Sequence, residues 1–440
     1  MINNKVKYPK YFKFFIYNIL LIANIFSQNE AGSIFLLISP GARASAMGEA
    51  QVALSNDAYS SYWNPAGLAF QQGSEIAGMH SNWLPNITDD LTYDFLAYRR
   101  KIGELGVFGA HFIYMNLGSQ TRMDKFKQEQ GTFSSYAFSS AVSYGFILNN
   151  NSSVGLSVKY TYQHLIDDQV DSGNSYGEAS SLGFDFGYLR KQFLLQNLNF
   201  GLTLTNMGKS ITFIDKDRPD PQPTNLTIGL NYELLRNNIG QINFLYDIKK
   251  LMIASYGATD RNGDGIIDGN SEVPHFDPFF KGLITSWTDD WKLKGDQDKS
   301  YGSFSRDGII GGYKWNENLD DGDGQPGPNE MEKTSGAVFG DENWGEYNEW
   351  GQKEVGSKNE GKFSNEIQEL IHNFGIEYWP TDLFAVRAGY VYDQIGEINN
   401  LTYGFGIRFA GYGFDFSYLN GEAGHPLTNT LRFSLNKTFK

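Results

Sequence analysis

The chain of 440 residues contains no cysteine, and this absence excludes disulfides, zinc sites built on cysteine and thiol catalysis. After Phe26 the chain also has no stretch of about 18 consecutive apolar residues, which excludes a bundle of membrane-spanning helices. Runs of basic residues are absent, and the formal net charge is −14. This charge balance argues against a nucleic-acid-binding protein.

Sequence motifs for catalysis are absent as well. The chain has no H-E-x-x-H, G-x-S-x-G or P-loop motif, and its six histidines are scattered. They are His80, His111, His164, His275, His372 and His425. We therefore expect a protein that is not an enzyme and requires no cofactor.

The chain does contain a regular alternation of residue types. From Ser74 onward, about fourteen segments of roughly ten residues place an aromatic or aliphatic side chain at every second position. One clear segment contains Val154, Leu156, Val158, Tyr160 and Tyr162. A period of two predicts β-strands with one apolar and one polar face. About ten residues is the length that a tilted strand needs to cross a bilayer.

The connections between these segments alternate in length. Short turns, such as those at Trp379–Asp382 and Gly411, alternate with longer connections. The longer ones include Gly118–Thr132, Leu165–Gly177, Gly208–Pro223 and Lys249–Ser364. Short turns at one rim and long loops at the other are typical of bacterial outer-membrane barrels. A soluble β-sandwich is the alternative, but it gives no reason for loop length to follow strand parity.

These patterns together predict an all-β membrane protein. We expect an antiparallel outer-membrane β-barrel of about 14 strands over residues 74–440, with an N-terminal hatch in the lumen over residues 28–73. Residues 249–364 are expected to form one long acidic extracellular loop insertion.

The first 27 residues resemble a secretory signal peptide. Four basic residues precede the apolar stretch Phe14–Phe26, which is too short to span a membrane as a stable helix. The basic residues are Lys5, Lys7, Lys10 and Lys13. We place the cleavage near Ser27–Gln28, with an uncleaved amphipathic anchor as the alternative.

The segment before the barrel does not alternate. In Ile34–Phe70, we expect Ser55 or Asn56 to cap a short helix that runs through Tyr62. Pro65 is expected to stop that helix with Asn64 extended before it, and Gly67 to adopt a left-handed turn. A compact segment rich in alanine and glycine fits a plug inside the lumen. A periplasmic tail is the alternative.

Two motifs in this segment carry a family resemblance. The run Asn64, Pro65, Ala66, Gly67 and Leu68, preceded by Asp57-Ala58, resembles the N-terminal hatch of FadL-like outer-membrane proteins. The run LLISPGARASAMGEAQVA (Leu36–Ala53) resembles more specifically the PorV/PorQ family of type IX secretion. The resemblance does not clearly extend to the acidic insertion or to the final Lys440.

The resemblance implies a role in secretion. PorV members are barrels that accompany the secretion translocon, receive exported clients that carry a C-terminal secretion signal, and pass them to surface attachment. PorQ members are similar barrels on the attachment side. Expected partners are therefore the translocon barrel, secreted client proteins and outer-membrane lipid. The alternative is a FadL-like transporter of hydrophobic small molecules, and a surface enzyme is a third reading without a supporting motif.

Charged residues occur among the polar positions of the strands. If the aromatic positions face lipid, these charges face the lumen, since a Lys or Arg facing lipid at the midplane would cost about 2–4 kcal/mol. The expected lumenal charges are Asp94, Lys159, Asp185, Asp247, Arg387, Arg408 and Asp415. We interpret them as ion pairs that bind the hatch and seal the barrel, with a selectivity filter as the alternative.

The long insertion concentrates the acidity of the chain. Residues Gly257–Lys362 contain 22 Asp or Glu and 11 Lys or Arg, a net charge of −11. The tryptophans of the insertion are Trp287, Trp291, Trp315, Trp344 and Trp350. Because buried aromatics commonly anchor protein interfaces, they indicate a folded cap or a docking surface. A solvated loop packed on its own barrel is the alternative.

The run Asp260–Glu272 nearly matches a calcium-binding loop. Oxygen ligands fall at the required spacing at Asp260, Asn262, Asp264, Ile266 (through its carbonyl) and Asp268. Ser271 stands at position 12, one residue before Glu272. We therefore expect a looser Ca²⁺ site that orders the loop, with a weaker acidic cluster at Asp320, Asp321, Asp323 and Glu330.

Overall fold

A computed structural model of the chain defines its architecture. It describes residues 31–88, 90–123, 129–166, 177–212, 219–237, 240–256, 275–288, 313–315, 331–333, 363–421 and 427–439. The expected signal peptide lies outside this described part.

Eighteen strands occur among the described residues. In chain order they are β1 (Ser74–Asn82), β2 (Leu91–Ile102), β3 (Gly106–Met123), β4 (Glu129–Asn149), β5 (Ser152–His164), β6 (Glu178–Arg190), β7 (Leu198–Gly208), β8 (Asn225–Asn237), β9 (Gly240–Leu251), β10 (Ser255–Tyr256), β11 (His275–Phe276), β12 (Tyr313–Trp315), β13 (Met331–Lys333), β14 (Ile371–Thr381), β15 (Phe384–Asp393), β16 (Ile398–Phe409), β17 (Tyr412–Asn420) and β18 (Thr430–Phe439).

Fourteen of these strands close into one antiparallel barrel, as the sequence predicts. The barrel contains β1–β9 and β14–β18, each paired with its neighbours. Its first and last strands pair directly, with Ser74 opposite Phe439 and His80 opposite Phe433. Closure leaves no unpaired sheet edge, which is the condition for a sheet to lie in a bilayer.

The two faces of the wall differ as the alternation requires. In β5, Leu156 is 55% exposed on the outside of the barrel, whereas the neighbouring Ser157 and Lys159 are buried inside it. Exposed apolar side chains at alternate positions of the wall form the lipid-facing surface, as in outer-membrane barrels. The protein is therefore an outer-membrane barrel.

Four short helices form the segment that fills the lumen. They are a 3₁₀ helix (Ile34–Leu37), α1 (Ala42–Ala46), α2 (Ser60–Trp63) and a second 3₁₀ helix (Pro65–Phe70). We call residues Gly32–Gln71 the hatch. It begins beside the long β7–β8 connection, where the Gly32 N–H donates to the Pro221 carbonyl at 2.9 Å, and it ends before β1.

The hatch corrects two local predictions. Neither Ser55 nor Asn56 caps α2, because the side-chain acceptor at this end is Asp57, which accepts from the Tyr59 N–H at 3.1 Å. Gly67 does not adopt a left-handed turn but lies within the second 3₁₀ helix. A side chain at Gly67 would overlap the Ser55 backbone, so close approach rather than backbone conformation requires glycine there.

Residues Leu251–Leu370 form a second compact unit. Its described elements are the ladders β10–β11 and β12–β13 together with α3 (Phe279–Thr285) and α4 (Phe363–Gln368). Among the described residues of the whole chain, no helix has the length and apolarity needed to span a membrane.

Candidate functional site: the hatch and its seat

Asn64 is the residue of the hatch motif with the most polar contacts. Its backbone is extended, with φ −161° and ψ 102°, as expected for a residue before Pro65. Its amide nitrogen donates to the carbonyls of Val52 at 3.0 Å and Tyr188 at 3.1 Å, while its side-chain oxygen accepts from the Ala66 N–H. Asn64 therefore ties the motif both to the rest of the hatch and to β6.

The barrel wall meets the hatch through glycine. At eight inward positions on eight different strands, an added Cβ would lie within 3.0 Å of hatch atoms. Six of these glycines, which we call the hatch seat, are Gly145, Gly155, Gly187, Gly201, Gly375 and Gly389. The other two, Gly109 and Gly404, lie against the side chains of Leu68 and Ala46. Because the wall has no side chain at the hatch seat, the hatch backbone lies directly against the strand backbone there. The first three seat glycines surround the hatch motif.

Polar side chains of the wall bind the hatch backbone between the glycines. The Asp247 carboxylate on β9 accepts from the N–H groups of Gln51 at 2.8 Å and Val52 at 2.9 Å. On β14, the Asn373 amide donates to the Gly48 carbonyl at 2.7 Å. These bonds satisfy backbone groups that would otherwise be buried without a partner, which costs free energy.

A chain of charged side chains connects the hatch to four strands, β14–β17. Glu377 on β14 accepts from Arg43 of the hatch through two bonds, at 2.8 and 3.0 Å, and from Arg387 on β15 at 2.9 Å. Arg387 also donates to Asp415 at 2.9 Å, and Asp415 pairs with Arg408 at 2.8 Å. Arg387, Arg408 and Asp415 thus lie where the alternation predicts.

A second buried pair lies where β6 and β7 shift register. The Lys159 ammonium is 3.2 Å from the Asp185 carboxylate and 2.5 Å from the Asn206 side-chain oxygen. Asp185 also accepts from the Asn206 N–H at 2.8 Å, which fixes the irregular backbone of β7. Both networks pair their charges inside the barrel, and the first of them includes Arg43 of the hatch.

The inward placement predicted for Asp94 is wrong. Its side chain is 44% exposed and pairs with His80 on the outer face, at 2.7 Å. The inward positions of β2 are instead Tyr93 and Phe95, which are buried against the hatch, and Phe95 stacks on Tyr59 at 5.1 Å. The rule that aromatics face lipid fails here because the hatch supplies aromatic partners inside the barrel.

Sequence reasoning missed the two residues at the centre of the charge chain. Arg43 is the lone charge in the small-residue run before Met47, and a cation in a segment predicted to be buried signals a carboxylate partner. Glu377 lies on the inward face of β14, as Gly375 does, and its sequence neighbours Ile376 and Tyr378 point outward. Each residue is recognisable in the sequence as an unusual charge, but the sequence does not show that Arg43 and Glu377 are partners.

Glu49 is a third hatch residue that sequence reasoning missed. Its carboxylate accepts from Lys249 at 3.2 Å and from the Ser39 hydroxyl at 2.7 Å, and it lies 3.7 Å from Arg432 on β18. Burial raises the pKa of Glu49, but the charges of Lys249 and Arg432 outweigh burial, so its pKa lies below the ordinary value.

This depressed pKa predicts an acid-sensitive hatch. A carboxyl whose pKa is lower in the folded state contributes stability above its ordinary pKa, and this contribution disappears as pH falls through the lowered value. We expect the hatch to be held fully at neutral pH and to loosen below about pH 4.5. Stability of the reconstituted barrel measured from pH 7 to pH 3 checks this.

The matched variants isolate the contribution of Glu49. Glu49→Gln is expected to remove part of the acid-dependent loss, because the amide does not titrate. Glu104→Gln, which changes an exposed turn residue, should leave the profile as in the parent protein. Identical pH profiles for the parent and Glu49→Gln would contradict the assignment.

Two cavities open at the rim of the short turns. Their volumes are about 1060 and 500 Å³, and Asn56, Arg236, Gln241 and Asn243 line both. Their walls are mainly charged and carboxamide side chains rather than apolar ones. This rim faces the periplasm in bacterial outer-membrane barrels.

Several predicted features lie outside the described residues. They include the calcium-loop residues Asp260, Asn262, Asp264, Ile266 and Asp268, the acidic cluster from Asp320 to Glu330, and the side chains of four of the five tryptophans of the insertion. Within the described residues, no group of three His, Cys, Asp or Glu side chains is arranged to hold a metal ion.

Strand pairing, the lipid-facing wall and the seated hatch together define a 14-stranded outer-membrane barrel closed by an N-terminal hatch. Comparison with family models then identifies its family. The model described as "Type IX secretion system protein PorV" matches residues 27–257, more than half of the chain. The chain belongs to the PorV family, and it is an outer-membrane component of type IX secretion.

Solved structures offer distant similarities. The chain is 13% identical to the toluene transporter TbuX of Ralstonia pickettii, with a TM-score of 0.46, over 92% of this chain and 100% of that one. It is 13% identical to the toluene transporter TodX of Pseudomonas putida, with a TM-score of 0.44, over 90% of this chain and 96% of that one. A FadL homologue of Pseudomonas aeruginosa is 10% identical, with a TM-score of 0.42, over 91% of this chain and 98% of that one. No curated protein sequence matches the chain.

Proposed function

We propose that this barrel binds translocated client proteins and partner components of the secretion machine through its 249–364 insertion and passes clients to surface attachment. The observation that carries the proposal is an apolar pair on α3. Phe280 is 80% exposed and Ile284 is 74% exposed. Four residues apart on a helix, they share one face. Exposed large apolar side chains of this kind commonly anchor protein partners.

Contacts of neighbouring residues fix α3 within its own unit. Asp277, just before the helix, accepts from Lys281 at 2.6 Å and from the Thr285 hydroxyl at 2.7 Å. The Asp277 N–H donates to the Ala254 carbonyl at 2.9 Å, and the hydroxyl of the buried Ser286, at the end of the helix, lies 3.9 Å from the Met252 sulfur. A helix held in this way presents its apolar pair with little freedom to turn it inward, as a preformed docking element requires.

The topology and charge of the insertion support the same proposal. β9 and β14, which precede and follow it, meet it at the rim of the long connections, the extracellular rim of outer-membrane barrels. The net charge of −11 over Gly257–Lys362 would attract basic surfaces of partner proteins to the insertion, which carries the apolar pair Phe280 and Ile284.

The alternative function, transport of a hydrophobic small molecule, requires an apolar path past the hatch. The apolar residues between the hatch and β1–β4 form a packed cluster that includes Trp63, Tyr93 and Phe95, and the two cavities described above are polar. These features favour a closed barrel that acts through its outer surface.

The decisive variant is Phe280→Ser combined with Ile284→Ser, placed in the native outer membrane and compared with Lys281→Arg on the same helix. After crosslinking, the tagged barrel is purified and its partners are identified by mass spectrometry. Because an anchor pair contributes about 2 kcal/mol or more, we expect recovery of the translocon barrel and of clients to fall at least about tenfold. Barrel abundance should not change.

Two results would contradict the proposal. Full recovery of translocon and clients with the double variant would place their binding elsewhere. Recovery of the parent barrel with bound lipid alone would favour the transporter.

A further inference from the structure

The smaller of the two periplasmic cavities has an unusual lining. This recess of about 500 Å³ lies between the hatch segment Ala53–Asn56 and the short-turn ends of β5–β9. Among the described residues, sixteen line the recess; nine of these are Asn or Gln, and none is aromatic. A carboxamide carries both hydrogen-bond donors and an acceptor and has no charge. The recess is therefore suited to an uncharged ligand that offers donors and acceptors together.

The carboxamides continue across neighbouring strands. Asn199 on β7 pairs in register with Asn231 on β8, and β9 is the next strand and carries Gln241 and Asn243. Gln241 donates to the Asn243 side-chain oxygen at 3.3 Å. The turn before β7 extends the row with Asn197. The result is a row of carboxamides along one wall of the recess.

Part of this hydrogen-bonding capacity is unused within the described residues. Asn231 is 2% exposed, yet its side-chain oxygen accepts no hydrogen bond from the part of the chain that the structure describes. The side chains of Gln196 and Asn197 are exposed at the mouth of the recess. A buried polar atom without a hydrogen-bond partner costs free energy. A ligand or water that donates a hydrogen bond to the Asn231 side-chain oxygen would therefore be stabilised at this wall.

The charged groups around the recess already have partners. Glu233 pairs with Arg236 at 2.8 Å and also accepts from Gln241 at 3.2 Å. Lys191 lies over the ring of Phe70, 3.8 Å from its centroid. An ionic ligand would have to displace these contacts, whereas a neutral ligand leaves them in place.

The adjoining cavity of about 1060 Å³ prolongs the recess into a trough across the periplasmic opening. Its tryptophan, Trp379, has the guanidinium groups of Arg387 and Arg408 each 5.5 Å from its ring centroid. Its ring is therefore occupied rather than free for a sugar to stack on. Of the two other described aromatic residues that line this cavity, Tyr412 has the Lys437 ammonium 3.5 Å from its ring centroid, and Phe409 is 72% exposed. A sugar competitor therefore has to be included in the test.

From these features we propose that the trough binds an extended, uncharged polypeptide segment in the periplasm through its main chain. Each peptide group offers one N–H and one carbonyl, which match the donor and acceptor of a carboxamide. Such recognition is largely independent of side-chain sequence. The site lies at the rim opposite the long connections, and the proposal does not depend on the function proposed for the insertion.

The test uses a defined peptide and the full-length barrel in detergent. The probe is a fluorescent, acetylated and amidated heptapeptide of alternating Ser and Thr, measured by fluorescence polarisation. Its partner peptide is identical except for methylated nitrogens at alternate residues, which removes main-chain donors and keeps every side chain. An N-acetylglucosamine oligomer serves as the competing ligand.

The protein variants are chosen to leave the fold intact. Gln196→Ala with Asn197→Ala removes two exposed turn carboxamides, and Gln72→Ala removes an exposed carboxamide that does not line the trough. Because a lost hydrogen bond is worth about 1 kcal/mol, we expect the double variant to bind at least about fivefold more weakly and Gln72→Ala to bind like the parent. N-methylation should weaken binding by a similar or larger factor.

Three outcomes would overturn the proposal. They are the absence of saturable binding by the unmethylated peptide, equal binding of the methylated peptide, and displacement of the peptide by the sugar oligomer at lower concentration.

Discussion

Glu377→Gln is expected to lower the free energy of unfolding of the barrel by about 3–5 kcal/mol, the usual cost of breaking a buried ion pair on one side. The carboxylate accepts from Arg43, Arg387 and Asn243, and an amide would direct donors of its own at these groups. Both guanidinium groups would then be buried beside a neutral partner. Urea unfolding in lipid vesicles, followed by tryptophan fluorescence, measures this change.

The same variant is expected to release the hatch. Arg43 is the cation of the hatch in the charge chain, so its loss of Glu377 should produce frequent open events in planar bilayers, where the parent barrel remains closed. Glu104→Gln provides the control, since that side chain is exposed in a turn. A Glu377→Gln barrel with parental stability and conductance would show that the charge chain does not hold the hatch.

Gly389→Ala is expected to destabilise the protein although it improves the strand locally. The new Cβ would overlap the backbone of Met47 and Gly48, so either the hatch or the wall must move. Overpacking of this kind costs about 1–3 kcal/mol. We expect lower stability in urea and increased conductance, because the wall can still close while the hatch cannot seat fully.

Gly183→Ala provides a matched comparison for this prediction. Gly183 is also a buried, inward strand glycine, but an added Cβ there would have no neighbour nearer than 3.6 Å. Since alanine is favoured over glycine in a strand by roughly 0.5–1 kcal/mol, this variant should be neutral or slightly stabilised. Equal effects of the two substitutions would contradict the role of the hatch seat.

The barrel could be predicted from sequence because the bilayer imposes a simple local rule. A strand with lipid on one side must present an apolar residue at every second position, as Leu156 and Val158 do on β5. Each strand carries this signal by itself, so the strand number and the parity of the turns follow without knowledge of contacts.

The rule that aromatic positions face lipid predicted the wrong face for β2, where the lumen is also apolar. On β2 the aromatic positions Tyr93 and Phe95 pack on Tyr59 and Tyr62 of the hatch, and Asp94 is consequently outside. Parity shows which residues share a face, but it does not identify the face when both sides contain large apolar groups.

The hatch seat could not be predicted because its contacts connect distant parts of the chain. Nothing beside Gly389 in the sequence indicates that Gly48 will lie against it, and nothing beside Glu377 identifies Arg43 as its partner. The motif Asn64–Leu68 was recognised from its residues. The glycines Gly155 and Gly187 that receive it became evident only from the structure.

The central claim is that this barrel works with its hatch in place, and one locked variant tests it most directly. The chain has no cysteine, so Ser61→Cys with Gly109→Cys introduces a single pair whose Cβ atoms lie 3.4 Å apart between hatch and wall, close to disulfide distance. The new Cβ at position 109 lies 2.7 Å from the end of the Leu68 side chain, which has to shift, whereas the hatch backbone does not. Client display on the cell surface is measured with the pair oxidised and then reduced. We expect equal display in both states. Loss of display on oxidation, restored by reduction, would show that the hatch must move and would contradict the account.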